Sequence, residues 1–174
     1  VILHFAGPFV DYLAEVHDME LRFESFALAG NIRQRADGAA VDGRRVPELL
    51  AGFFSSHMPR QPLAAGAAES LRAIAGFADV VVLTNLGDDL REARAAQLGA
   101  LGLDLDVVTN QGPKGPAVAR LLDARRPDRA LFIDDLPPHH SSVREAAAHV
   151  HRLHMVADER LRTLIPAAAD AHVR

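Results

Sequence analysis

Three apolar runs each hand over to polar residues, and a turn delivers a lysine, which together are of the kind that hold phosphate or a hard cation. Val1–Leu3 leads to His4, Val80–Leu83 to Thr84 and Asn85, and Leu131–Ile133 to Asp134 and Asp135, while Lys114 follows a Gly-Pro turn at 112–113. A lysine neutralises phosphate oxygens, a threonine hydroxyl and an asparagine amide donate to them, and paired carboxylates hold Mg²⁺ through oxygen. A small phosphorylated molecule is the ligand these groups suit, with Thr84, Asn85 and Lys114 on the phosphate and Asp135, with Asp134, on the metal.

Such groups converge only if the elements beneath them are built for it. The continuous hydrophobicity of the runs, including a weaker one at Val150–Leu153, predicts strands buried on both faces. Helical spacing of apolar residues falls between them, at Ala67, Leu71 and Ile74, at Leu90, Ala93, Leu98 and Leu101, at Val118, Leu121 and Leu122, and at Val143, Ala146 and Ala147. Alternation of this kind implies parallel pairing through right-handed crossovers, hence a three-layer α/β/α sandwich of Rossmann-like type. Residues 12–60 break the rhythm: Leu13, Val16, Leu21, Phe26, Leu49, Leu50, Phe53 and Phe54 have helical spacing with no convincing strand. They read as a small helical insert that Pro59 and Pro62 close, leaving 1–11 and 61–174 as the core domain. A terminal helix and a frayed tail are expected after Leu161.

The order of these features resembles the haloacid dehalogenase superfamily of phosphohydrolases over nearly the whole chain. Pro62-Leu63-Ala64-Ala65-Gly66 resembles the entry to the helix before the family's second motif, and Val80-Val81-Val82-Leu83-Thr84-Asn85 resembles that motif. Gly112-Pro113-Lys114 resembles the third motif, and Phe132-Ile133-Asp134-Asp135 the acidic fourth, in which His139 stands where Asp or Asn is usual. The resemblance implies a helical cap at 12–60 that closes over the site, a phosphate-binding Thr84 and Lys114, and Asp135 as metal ligand.

The first motif departs from the family. Its members follow the first strand with Asp-x-Asp-Gly-Thr, and this chain has His4-Phe5-Ala6-Gly7-Pro8. His4 stands at the nucleophile's position and Ala6 at the acid/base's. Imidazole is a poor ligand for Mg²⁺ and alanine has no proton to transfer. Loss of an acid/base costs about 10² to 10⁴ in rate, and loss of a nucleophile in a concerted unit about 10⁶. The expectation is a protein that has lost the phosphohydrolase reaction and serves as a binding or regulatory module, with doubtful use of Mg²⁺. Two other readings stand beside it: a hydrolase that uses His4, alone or with a water held between His4 and Asp135, and a homodimeric scaffold with Phe53-Phe54 as an exposed patch.

Composition narrows the classes. The 174 residues, 49% of them hydrophobic, suffice for a sizeable core. Nineteen basic against 23 acidic residues, with no basic run, argue against nucleic acid. No run reaches the ~20 apolar residues of a membrane span, the N-terminus lacks a secretory pattern, and the absence of cysteine fits a reducing, cytoplasmic setting. Nine histidines raise a metal site, most of all His139-His140 and the set His149, His151 and His154, of which His149 and His151 project to one side of a strand. No acid or cysteine is spaced to complete it.

Overall fold

Antiparallel pairing claims the first apolar run. The Ile2 carbonyl accepts from Ala64 N–H at 2.8 Å and His4 N–H donates to the Pro62 carbonyl at 2.9 Å, leaving one bridge, Leu3 to Leu63. The parallel strand expected at Val1–Leu3 is not formed; the run is three residues long and the returning segment at 61–64 satisfies its backbone groups first. The computed structural model describes residues 1–173. Their contacts group Ile2–Ala64 with Asp158–Ile165 as one unit, and Val1, Ala65–Ala157 and the residues from Pro166 onward as a second. Residues 2–11, expected in the larger domain, therefore group with the insert.

In the first unit, helix α1 (Ala6–His17) ends at Asp18, whose left-handed backbone (φ 51°) lets its N–H reach the Leu13 carbonyl. Aspartate tolerates that conformation better than most residues. Strands β1 (Met19–Leu21) and β2 (Ile32–Gln34) then pair antiparallel, Met19 opposite Gln34, and helix α2 (Val46–Ser56) follows. The insert is thus not all helical. Three-residue strands are too short to print a period of two on the sequence, and burial of Met19 and Ile32 decides their state. Phe9, Tyr12, Leu13, Leu49 and Phe53 close the core with them, the Phe9 and Phe53 rings meeting edge to face at 5.5 Å. Phe53 is fully buried and Phe54 packs against the same core. They do not form the exposed dimer patch considered from sequence.

The second unit is the alternating one. Helix α3 (Ala67–Ala75) precedes strand β3 (Val81–Asn85), and helix α4 (Arg91–Ala100) crosses to strand β4 (Asp106–Asn110), which pairs parallel with β3. Helix α5 (Gly115–Arg125) leads to strand β5 (Leu131–Asp134), and helix α6 (Pro137–Ala146) crosses to strand β6 (His151–His154), parallel to β5. The α/β class holds. Among the described residues the strands form separate two-stranded sheets, not one continuous sheet. Gly115 lets α5 approach α6: its N–H donates to Ser142 Oγ at 2.9 Å.

The chain then returns to the first unit through the single turn of helix α7 (Glu159–Arg162), capped by the Asp158 carboxylate on Arg160 N–H. The longer terminal helix expected there stops before Pro166. The tail is not frayed either, since Val173 bridges Leu153 on β6 and its carbonyl accepts from His154 N–H at 2.9 Å. No described helix is long and apolar enough to cross a membrane.

Candidate functional site

The parallel register of β3 and β4 sets Thr84 beside Thr109 and Asn85 beside Asn110 at the carboxyl ends of both strands. The two asparagines then bind each other and the loop that follows. Asn110 Nδ2 donates to Asn85 Oδ1 at 2.9 Å, and both amides donate to the Gly112 carbonyl, at 3.0 and 3.1 Å. Gly112 has φ 84°, a backbone that favours glycine, so the loop to Lys114 is fixed by composition and by amide hydrogen bonds. Asn85, expected on phosphate, is engaged as a clamp of this loop. The Thr84 hydroxyl has no hydrogen-bond partner among the described residues.

The clamped loop delivers Lys114 to the end of β5. Lys114 Nζ donates to Asp134 Oδ2 at 2.7 Å, with the two side chains 12% and 4% exposed. Asp134 Oδ1 accepts from Leu136 N–H at 2.9 Å, an Asx turn that starts α6. Both carboxylate oxygens are therefore occupied, and the buried charge is paired as burial demands. Asp135 keeps a third of its side chain exposed.

Two histidines hold the backbone of this acidic pair from behind. His154 Nδ1 accepts from Ala168 N–H at 3.4 Å, which leaves Nε2 as the protonated nitrogen, donating to the Asp135 carbonyl at 2.9 Å. His140, wholly buried, places Nε2 3.1 Å from the Asp134 carbonyl, a second acceptor bond beside that from Met155 N–H. The His140 and His154 rings meet edge to face at 5.4 Å. Burial lowers the His140 pKa, and burial likewise lowers that of His139 against the opposing pull of Asp134. Both imidazoles are neutral at pH 7.

His4 and Ala6 lie in the other unit. Ala6 is buried as the first residue of α1 and offers no polar group. His4 Nδ1 faces Asp158 Oδ2 at 3.7 Å, and Asp158 in turn accepts from Arg160 Nε, Nη2 and backbone N–H, each at 3.1 Å. Gly7 makes room for that guanidinium: a Cβ there would stand 2.9 Å from Arg160 Nη2. Burial alone would raise the Asp158 pKa, but the Arg160 hydrogen bonds and charge, with His4, bring it below the usual carboxylate value. A depressed folded-state pKa contributes stability above the unfolded value and loses it as pH falls through the folded one. Unfolding measured between pH 5 and 2 is expected to show a stability loss below about pH 4 that is reduced in Asp158→Asn.

Sequence reasoning singled out Lys114 and Asp134, which the structure pairs with each other, and weighed His140 and His154 only as metal ligands; it did not single out Asn110, Asp158 or Arg160. Asn110 had a signal, since it repeats Asn85 at the end of an equivalent strand. The histidines act on backbone carbonyls and leave no pattern of partners. Mg²⁺ does not fit the rim as built: with Asp134 committed to Lys114 and Leu136, the remaining carboxylate of the pair is Asp135, whose Oδ2 lies 3.9 Å from the Val1 ammonium, and a Mg²⁺ site asks for more oxygen ligands than that. Among the described residues no group of three or more His, Asp or Glu is arranged to hold a metal ion.

Comparison with protein families, curated proteins and solved structures finds no match to this chain.

Proposed function

We propose that this chain is a haloacid dehalogenase-like protein of Rossmann-like architecture that binds a small phosphorylated molecule without turning it over through a phosphoaspartate. The observation that carries the reading is the Lys114–Asp134 pair at the end of β5, held there by a loop clamped to the ends of β3 and β4. In its support stand a threonine hydroxyl at the end of β3, a lysine whose loop is clamped to the ends of β3 and β4, and two acids at the end of β5; the carboxyl ends of parallel strands are where ligands of α/β folds bind. The silence is supported by chemistry at 4–6: an imidazole and a methyl group supply neither a phosphoryl-accepting carboxylate nor the acid that protonates a leaving alcohol.

Electrostatics make the reading specific. Lys114 is neutralised by Asp134, and Asp135, a third of its side chain exposed and 3.9 Å from the Val1 ammonium, is the carboxylate at the rim that opposes a phosphate dianion. Asp135→Asn is therefore expected to tighten inorganic phosphate binding, because it removes a like charge. Thr84→Val is expected to weaken it. Titration calorimetry with inorganic phosphate, with and without Mg²⁺, reads both, alongside turnover of p-nitrophenyl phosphate. Robust Mg²⁺-dependent turnover that disappears in Asp135→Asn would sink the proposal, as would an absence of phosphate binding at millimolar concentrations.

A further inference from the structure

Within the unit formed by Ile2–Ala64 and Asp158–Ile165, His4 is built as more than a filler of the position where the resembled family has its nucleophile. Its backbone is fixed on both sides: the N–H donates to the Pro62 carbonyl at 2.9 Å and the carbonyl accepts from Gln61 Nε2 at 3.3 Å. Its Nδ1 looks at Asp158, whose carboxylate is locked by three donors of Arg160 and nearly buried. The imidazole keeps about a quarter of its surface open, and Nε2 has no hydrogen-bond partner among the described residues. A buried carboxylate on one imidazole nitrogen and an open second nitrogen is the arrangement in which the acid orients the ring and fixes its tautomer. The 3.7 Å separation is longer than a hydrogen bond, as such pairs often are before a ligand closes on them.

We infer that His4 is a proton-accepting residue oriented by Asp158, with the Nδ1–H tautomer directed at the carboxylate and the Nε2 lone pair free for water. Arg160 is a positioning residue that acts through Asp158. Asp158, which faces His4, is itself paired with the Arg160 guanidinium, and the two charges offset each other, so the surroundings favour an uncharged substrate over a phosphate dianion. The substrate class is an uncharged acyl compound, for which an activated carboxylic ester is the probe. Water gives a proton to Nε2 as its oxygen bonds to the acyl carbon, the ester C–O bond breaks, and the leaving alkoxide takes the proton back from Nε2. This inference stands on this unit alone and does not depend on phosphate binding at Lys114.

The test is nitrogen-15 NMR of the imidazoles near pH 8, where histidine is neutral, with hydrolysis of p-nitrophenyl acetate measured in parallel. Wild-type His4 is expected as the Nδ1–H tautomer, changing to Nε2–H in Asp158→Asn, a variant that retains an oxygen to cap Arg160 N–H. His4→Gln is expected to lower ester hydrolysis above the buffer rate by 10²-fold or more. An Nε2–H tautomer in the wild type overturns the inference even if a variant fails to fold. Ester hydrolysis unaffected by His4→Gln overturns the proton-accepting role, and His4-dependent hydrolysis confined to p-nitrophenyl phosphate overturns the substrate class.

Discussion

Replacing Lys114 with alanine is expected to cost about 3–5 kcal/mol of stability, the largest effect of any single side chain at the rim. Lys114 and Asp134 are the two halves of one buried pair, 2.7 Å apart. Removing the ammonium leaves a carboxylate that is 4% exposed with the Leu136 N–H as its remaining donor, and an unpaired buried charge is far more costly than a missing contact. Replacing the pair together, Lys114→Met with Asp134→Leu, is expected to recover most of the stability, since apolar groups of similar volume need no counter-charge. Urea unfolding of the two single variants and the double variant measures the coupling directly. A small effect of Lys114→Ala would mean that water reaches Asp134, and that the pair is a surface contact of a fraction of a kcal/mol.

Gly115→Ala is expected to destabilise by about 3 kcal/mol for a different reason, the absence of room. A Cβ at 115 would stand 2.1 Å from the Ser142 carbonyl oxygen and 2.6 Å from its carbonyl carbon. Both are backbone atoms of α6, so no side-chain rotation relieves the clash and the first turn of α5 must shift. Ser142→Ala is the control: it removes the hydrogen bond that Ser142 Oγ accepts from Gly115 N–H but leaves the close approach, and is expected to cost about 1 kcal/mol. Thermal unfolding separates the two. Because Gly115 follows Lys114 directly, the shift also pulls the ammonium from Asp134, and the effects of Gly115→Ala and Lys114→Ala are expected to be less than additive.

These two residues also mark what the sequence discloses. Strands β3, β5 and β6 are legible as apolar runs, and so are helices α3 to α6, because side chains that line a packed face repeat with the period of the element. Strand β4 is not, since Asp104 and Asp106 interrupt its run and only Val107 is buried in it. The Val1–Leu3 run misleads in the opposite sense: its hydrophobicity is that of a strand, but its partner is Leu63, and nothing local records which segment returns to pair with it. At the rim, Lys114 and Asp134 stand out as charged residues next to buried elements, where they need a counter-charge. His140 and His154 are opaque because the atoms they satisfy are main-chain carbonyls, identical at every position along the chain. Asp158 is opaque because 153 residues lie between it and His4, and pairing over that distance is decided by packing.

That separation sets an order of events during synthesis. His4 leaves the ribosome well before the carboxylate that faces it, because Asp158–Ile165 completes the unit that Ile2–Ala64 begins. The early aromatic residues must wait, partly assembled, while about ninety residues of the other unit emerge between them and their closing segment. Contacts of such long sequence separation slow folding and leave apolar surface open meanwhile. A nascent chain halted before Asp158 therefore carries an unfinished N-terminal core, and it is this half-built species that would engage chaperones.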